Sequence, residues 1–115
     1  MSLSRVFAAA LLSAVACAAE TPVAGKWNCT NLPSTGAESP WTLIVSDDGT
    51  KLGGVLTDGD VKIPLSQIKL DQNVFTFRFD INEKPYDFSG KLNGTTLEGK
   101  YSGDEASGTL RCVKP

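Results

Sequence analysis

The sequence predicts an all-β fold: a small eight-stranded antiparallel up-and-down barrel closed by one disulfide. Three observations carry that reading. Residues Asn73 to Ile81 run N-V-F-T-F-R-F-D-I, so Phe75, Phe77, Phe79 and Ile81 face one way while Val74, Thr76, Arg78 and Asp80 face the other. A period of two is the strand period, and the same spacing would scatter these apolar groups around a helix. Shorter stretches of the same alternation recur between turn signals at Asp48-Gly49, Asp58-Gly59-Asp60 and Asn93-Gly94. Cys29 falls in the first alternating stretch and Cys112 in the last. A bridged pair needs Cα atoms within about 7 Å, which sets the first and last strands side by side. A closed barrel meets that need and leaves no free edge. A two-sheet sandwich with its terminal strands in contact meets it as well.

Residues 1–19 are read as a signal peptide. One basic residue, Arg5, precedes an apolar, Ala-rich run from Val6 to Ala19 that ends in small residues. Ala14-Val15-Ala16-Cys17 faintly resembles a bacterial lipobox, although Ala14 stands where leucine is usual, so lipid anchoring through Cys17 is the alternative. Residues 20–115 then form a single domain, with no later stretch long enough to span a membrane as a helix.

The elements follow in order. Gly25 to Cys29 opens the fold with Trp27 and Cys29 on one face, and Asn31 to Ser39, rich in Pro, Ser, Thr and Gly, reads as a loop. Trp41 to Val45 is the second strand, with Trp41, Leu43 and Val45 inward, and Leu52 to Thr57 is the third. Val61 to Leu65 alternates but meets Pro64, which places a bulge or a break there before Ile68 and Leu70 resume the pattern. After the phenylalanine-rich strand, Tyr86 to Leu92 and Leu97 to Tyr101 flank Asn93-Gly94, a type I′ signal, and Gly108 to Cys112 is the last strand. Leu52-Gly53-Gly54, Phe88-Ser89-Gly90 and Leu97-Glu98-Gly99 each put a glycine on the inward face, where it relieves crowding in a tightly coiled barrel.

Once Cys17 leaves with the leader, Cys29 and Cys112 are the available pair, and export favours their oxidation. The bridge closes about 84 residues, for which chain entropy gives about 4.5 kcal/mol. The mature chain carries ten basic and thirteen acidic groups, a net charge of −3 with no basic run, so nucleic acid is not an expected partner.

Gly25-Lys26-Trp27, together with Arg111 in the last strand, resembles the Gly-x-Trp and C-terminal Arg of the calycin barrels, which include the lipocalins and avidins. The resemblance implies that Arg111 packs across Trp27 as a cation–π contact and helps seal one end. Over Val23 to Lys114 the order of motifs is also similar to small secreted bacterial domains. That similarity implies fold and export, and no activity.

The chemistry points away from catalysis. The chain has no histidine, hence no usual general base and no commonest metal ligand. A bridged cysteine pair supplies neither a thiolate nor a zinc site. Asp47, Asp48, Asp58 and Asp60 fall at two turns and are explained by turn chemistry, since Asp58-Gly59-Asp60 lacks the ligand series of a calcium loop. Asp80 and Asp87 lie out of phase with the apolar faces and are expected in solvent, unlike a glycosidase acid. No enzyme activity, cofactor or metal is expected.

The expected function is a monomeric binding module for a protein or a small apolar ligand. The alternative is a structural component of the cell envelope. Trp27, Trp41, Phe75, Phe77, Phe79, Phe88 and Tyr101 on strands this short predict a filled interior more than a pocket. A protein partner would meet the outer face or the Asn31 to Ser39 loop.

Overall fold

A computed structural model describes residues 22–115, and these form eight antiparallel strands closed into a barrel. The expected leader, residues 1–19, and Cys17 lie outside the described residues. The strands are β1 (Gly25–Pro33), β2 (Ser39–Asp47), β3 (Leu52–Asp58), β4 (Val61–Asp71), β5 (Val74–Ile81), β6 (Lys84–Asn93), β7 (Thr96–Gly103) and β8 (Ser107–Val113). Each pairs with its neighbour in sequence, and β1 pairs with β8 to close the ring. The sandwich alternative is thereby removed. No helix among the described residues is long and apolar enough to cross a membrane.

The alternation in β5 sets its inner face. Phe75, Phe77 and Phe79 are buried, and Phe77 stacks on Phe88 of β6 at 4.6 Å while Phe79 stacks on Tyr86 at 5.3 Å. Tyr86 and Phe88 share a phase, so both turn inward. Burial of aromatic rings in such offset and edge contacts adds about 0.5–1.5 kcal/mol per pair beyond the area removed from water. The barrel centre is filled.

β4 is continuous through Pro64, and the bulge comes later, between Ser66 and Lys69, with Gln67 at φ 50°. Its cause is visible in the apolar pattern. Ile63 and Leu65 turn inward at odd positions, whereas Ile68 and Leu70 turn inward at even ones. One extra residue must be absorbed to keep both pairs on the core face. Pro64 points outward opposite Val55, where it displaces no core side chain.

β1 runs four residues beyond Cys29, so the first loop shrinks to residues 34–38. Asn31, Leu32 and Pro33 lie in ladder with β8, and that long-range pairing overrides their loop-like composition. The Asn93-Gly94 turn also shifts. Asn93 pairs with Thr96, so Gly94 and Thr95 are the central residues, and only Gly94 has positive φ. That is the type II′ pattern instead of the expected type I′. Type I′ geometry belongs to Asn82 and Glu83, both at positive φ.

One glycine pair shows why the aromatic-x-Gly rhythm exists. Gly90 faces Gly99 across β6 and β7, and a Cβ on Gly99 would sit 2.2 Å from the Ser89 carbonyl oxygen. A Cβ on Gly90 would lie 2.6 Å from the Phe88 ring. Neither backbone nor ring can yield that space.

The end of the barrel near the N-terminus is sealed by Trp27, which is fully buried and donates its indole N–H to the Val23 carbonyl at 2.9 Å. The cation over its ring is Lys114, with Nζ 5.3 Å from the centroid and 3.2 Å from the Pro22 carbonyl oxygen. This corrects the expected Trp27–Arg111 pair. Arg111 alternates with buried Leu110 and Cys112, so it must point outward, where its Nε lies 3.4 Å from Glu98. Arg111 is an exposed residue and not part of the core.

Candidate functional site

The opposite end of the barrel is open, and there the inward side chains leave an apolar recess of about 70 Å³. Its wall draws on every strand: Asn31, Trp41, Leu56 and Ile63 from β1 to β4, then Phe79 and Ile81, Phe88, Tyr101 and Leu110 from β5 to β8. It therefore lies on the barrel axis. Trp41 and Tyr101, expected among the filled core, are only half-buried because they stand at this mouth. Phe75 and Trp27 lie toward the sealed end and take no part.

Each wall residue owes its position to strand phase. Trp41 is two residues before buried Leu43, and Ile81 two residues after buried Phe79. Both stay on the inner face but run out of neighbours at the strand end, which leaves Ile81 37% exposed. Asn31 is the polar member. Its side-chain oxygen accepts a hydrogen bond from the Tyr101 hydroxyl at 2.7 Å. Partial burial pushes the Tyr101 hydroxyl pKa up, with the Asn31 bond opposing that shift. The Asn31 contribution was missed by sequence reading because its segment resembled a loop.

Depressions on the outer wall are larger but of a different kind. One of about 390 Å³ lies over β4 to β7 and includes Lys69, Arg78, Asp87 and Lys100. It sits between outward polar side chains and is open to solvent. Arg78 Nε donates to Asp87 at 3.0 Å across it. Another of about 310 Å³ lies outside β1 to β3 near Pro40 and Asp58. Neither encloses an apolar surface.

The two ends differ in charge. Connections alternate from end to end, so residues 34–38, 59–60, 82–83 and 104–106 ring the mouth. The strand and loop residues nearest the mouth include Glu38, Asp58, Asp60, Asp80, Glu83, Asp104 and Glu105 against Lys62 and Lys84, a local charge of −5. The sealed half carries Lys26, Lys51, Lys69, Lys91, Lys100, Arg111 and Lys114 against Asp47, Asp48, Asp71 and Glu98, a local charge of +3. Lys84 pairs with Glu105, and among the described residues no other ion pair lies at the mouth.

Among the described residues, no group of three or more His, Cys, Asp or Glu side chains is placed to hold a metal ion. Asp48 is a turn residue: its carboxylate accepts from the backbone N–H groups of Thr50 and Lys51 and from the Thr50 hydroxyl, each at 2.9 Å. Those bonds lower its pKa to about 2. Compared with protein-family models and with curated proteins, the chain matches none.

Proposed function

We propose that this protein is an exported, non-enzymatic binding module whose contact point is the open mouth, where it accepts one small apolar group presented by a partner protein. The observation that carries the reading is the axial recess, whose wall comes from all eight strands. At about 70 Å³ it is well below the roughly 300–1,000 Å³ of pockets that enclose a drug-sized ligand. A carrier of a free lipid-sized molecule is disfavoured on that ground, and a single side chain fits better. The ring order of the strands, Gly25-Lys26-Trp27 and a cation over Trp27 support kinship with the calycin barrels.

An NMR titration with tert-butanol, a compact apolar probe, tests the site. Shift changes should concentrate at Trp41, Ile81 and Tyr101. Changes spread over the outer wall, or none at all, would remove the mouth as the contact point. Native mass spectrometry of the exported protein supplies the second arm, since a retained lipid would reinstate the carrier. The filled barrel centre favours the second reading, a stabilising envelope component, and a silent titration with no retained ligand would put that reading first.

A further inference from the structure

We infer that the partner of the mouth is cationic: a polypeptide segment that presents an apolar side chain flanked by lysine or arginine. The inference rests on the mouth being the contact point and adds the partner's charge. Its basis is the meeting of two features at one end of the barrel. The recess is apolar, with Trp41, Ile81 and Tyr101 at its rim. Around it, every mouth connection carries a carboxylate: Glu38 in the first, Asp60 in the second, Glu83 in the third, Asp104 and Glu105 in the fourth. Of these, Glu105 alone is held in an ion pair, to Lys84.

The distribution of these charges selects the kind of cation. Four connections spread around the rim of a barrel cannot all approach one ammonium group lodged on the axis. A segment lying across the mouth reaches several of them while one side chain enters the recess. An exposed carboxylate ring acts over about one Debye length, 8 Å at physiological salt. It therefore raises the encounter rate and sets the orientation of a basic partner more than it raises affinity at high salt. The sealed end, with its excess of lysines, turns the barrel's dipole so that a basic partner is steered to the mouth and away from the opposite end.

The test uses three pentapeptides with a central leucine and either four lysines, four serines or four glutamates around it. Binding is followed through the Trp41 indole N–H and the Tyr101 signals of the full exported protein. The lysine peptide should bind about tenfold more tightly than the serine peptide in about 20 mM salt, and the gap should shrink to about twofold in about 0.5 M salt. The triple variant Asp60→Asn, Glu83→Gln, Asp104→Asn, changed only at exposed positions, should lose the difference while still binding the serine peptide. Equal binding of the lysine and serine peptides, or tighter binding of the glutamate peptide, overturns the charge inference and leaves the mouth reading intact. Shifts confined to the outer wall, or no binding of any peptide, overturn both.

Discussion

The Tyr101 hydroxyl donates to Asn31 at 2.7 Å although β8 lies between their strands. Gly108 makes that reach available. It pairs with Tyr101 on one side and Pro33 on the other, and a Cβ there would fall 2.6 Å from the tyrosine oxygen and 2.7 Å from the Leu32 carbonyl oxygen. The recess wall and the β1–β8 closure thus share one polar tie. Tyr101→Phe removes a neutral hydrogen bond at a half-buried site and should cost about 0.5–1.5 kcal/mol. Gly108→Ala should cost more, about 1–3 kcal/mol, because backbone must move. Urea unfolding midpoints decide the order, and an alanine variant milder than the phenylalanine one would contradict it.

Lys114 and Arg111 should separate cleanly. Lys114→Ala takes a cation from the Trp27 face and should cost about 0.5–1 kcal/mol. Arg111→Ala breaks an exposed pair with Glu98 and should change stability by less than about 0.5 kcal/mol. Trp27→Ala, by contrast, empties the sealed end and should cost about 3–5 kcal/mol. Thermal melts of the three variants test the ranking; a larger loss for Arg111 than for Lys114 would restore the expected Arg–Trp seal.

Cys29 and Cys112 are direct partners in the β1–β8 ladder, with Cα atoms 3.9 Å apart and both side chains buried. Replacing both with alanine should lower stability by about 2–4 kcal/mol, chiefly by freeing the unfolded chain. Guanidinium titrations of the oxidised protein and the double variant give the difference. A loss under about 1 kcal/mol would mean that ladder pairing alone holds the closure.

Asp48 should titrate near 2 against an ordinary value of 3.8, because the folded turn hydrogen-bonds its charged form. The shift is downward, so its contribution is present above the ordinary value and is lost as pH falls from there through about 2. An NMR titration of the side-chain carboxyl carbon reads this directly. A midpoint near 3.8 would show that the turn bonds do not persist in solution.

Much of the barrel was legible because strand phase is a local property. Phe75, Phe77 and Phe79 alternate with polar residues, and any closed sheet must bury that side. The same phase rule already placed Arg111 opposite to Cys112, and so away from Trp27, but the resemblance to a familiar pairing outweighed it. Lys114 stands in phase with Leu110 and Cys112, and could have been chosen by counting.

What the sequence determined by itself was therefore the fold class, the pairing of Cys29 with Cys112 and the inward face of most strands. Those follow from period, turn residues and the reach of a disulfide. Tertiary structure decided the length of β1, the place of the β4 bulge, and the meeting of Asn31 with Tyr101 across seventy positions. It also decided that Trp41 and Tyr101 line an open recess instead of a filled centre. The reason is physical: a strand's phase is set by its own side chains, but where it ends and what lies beyond its last inward residue is set by the strands that pair with it.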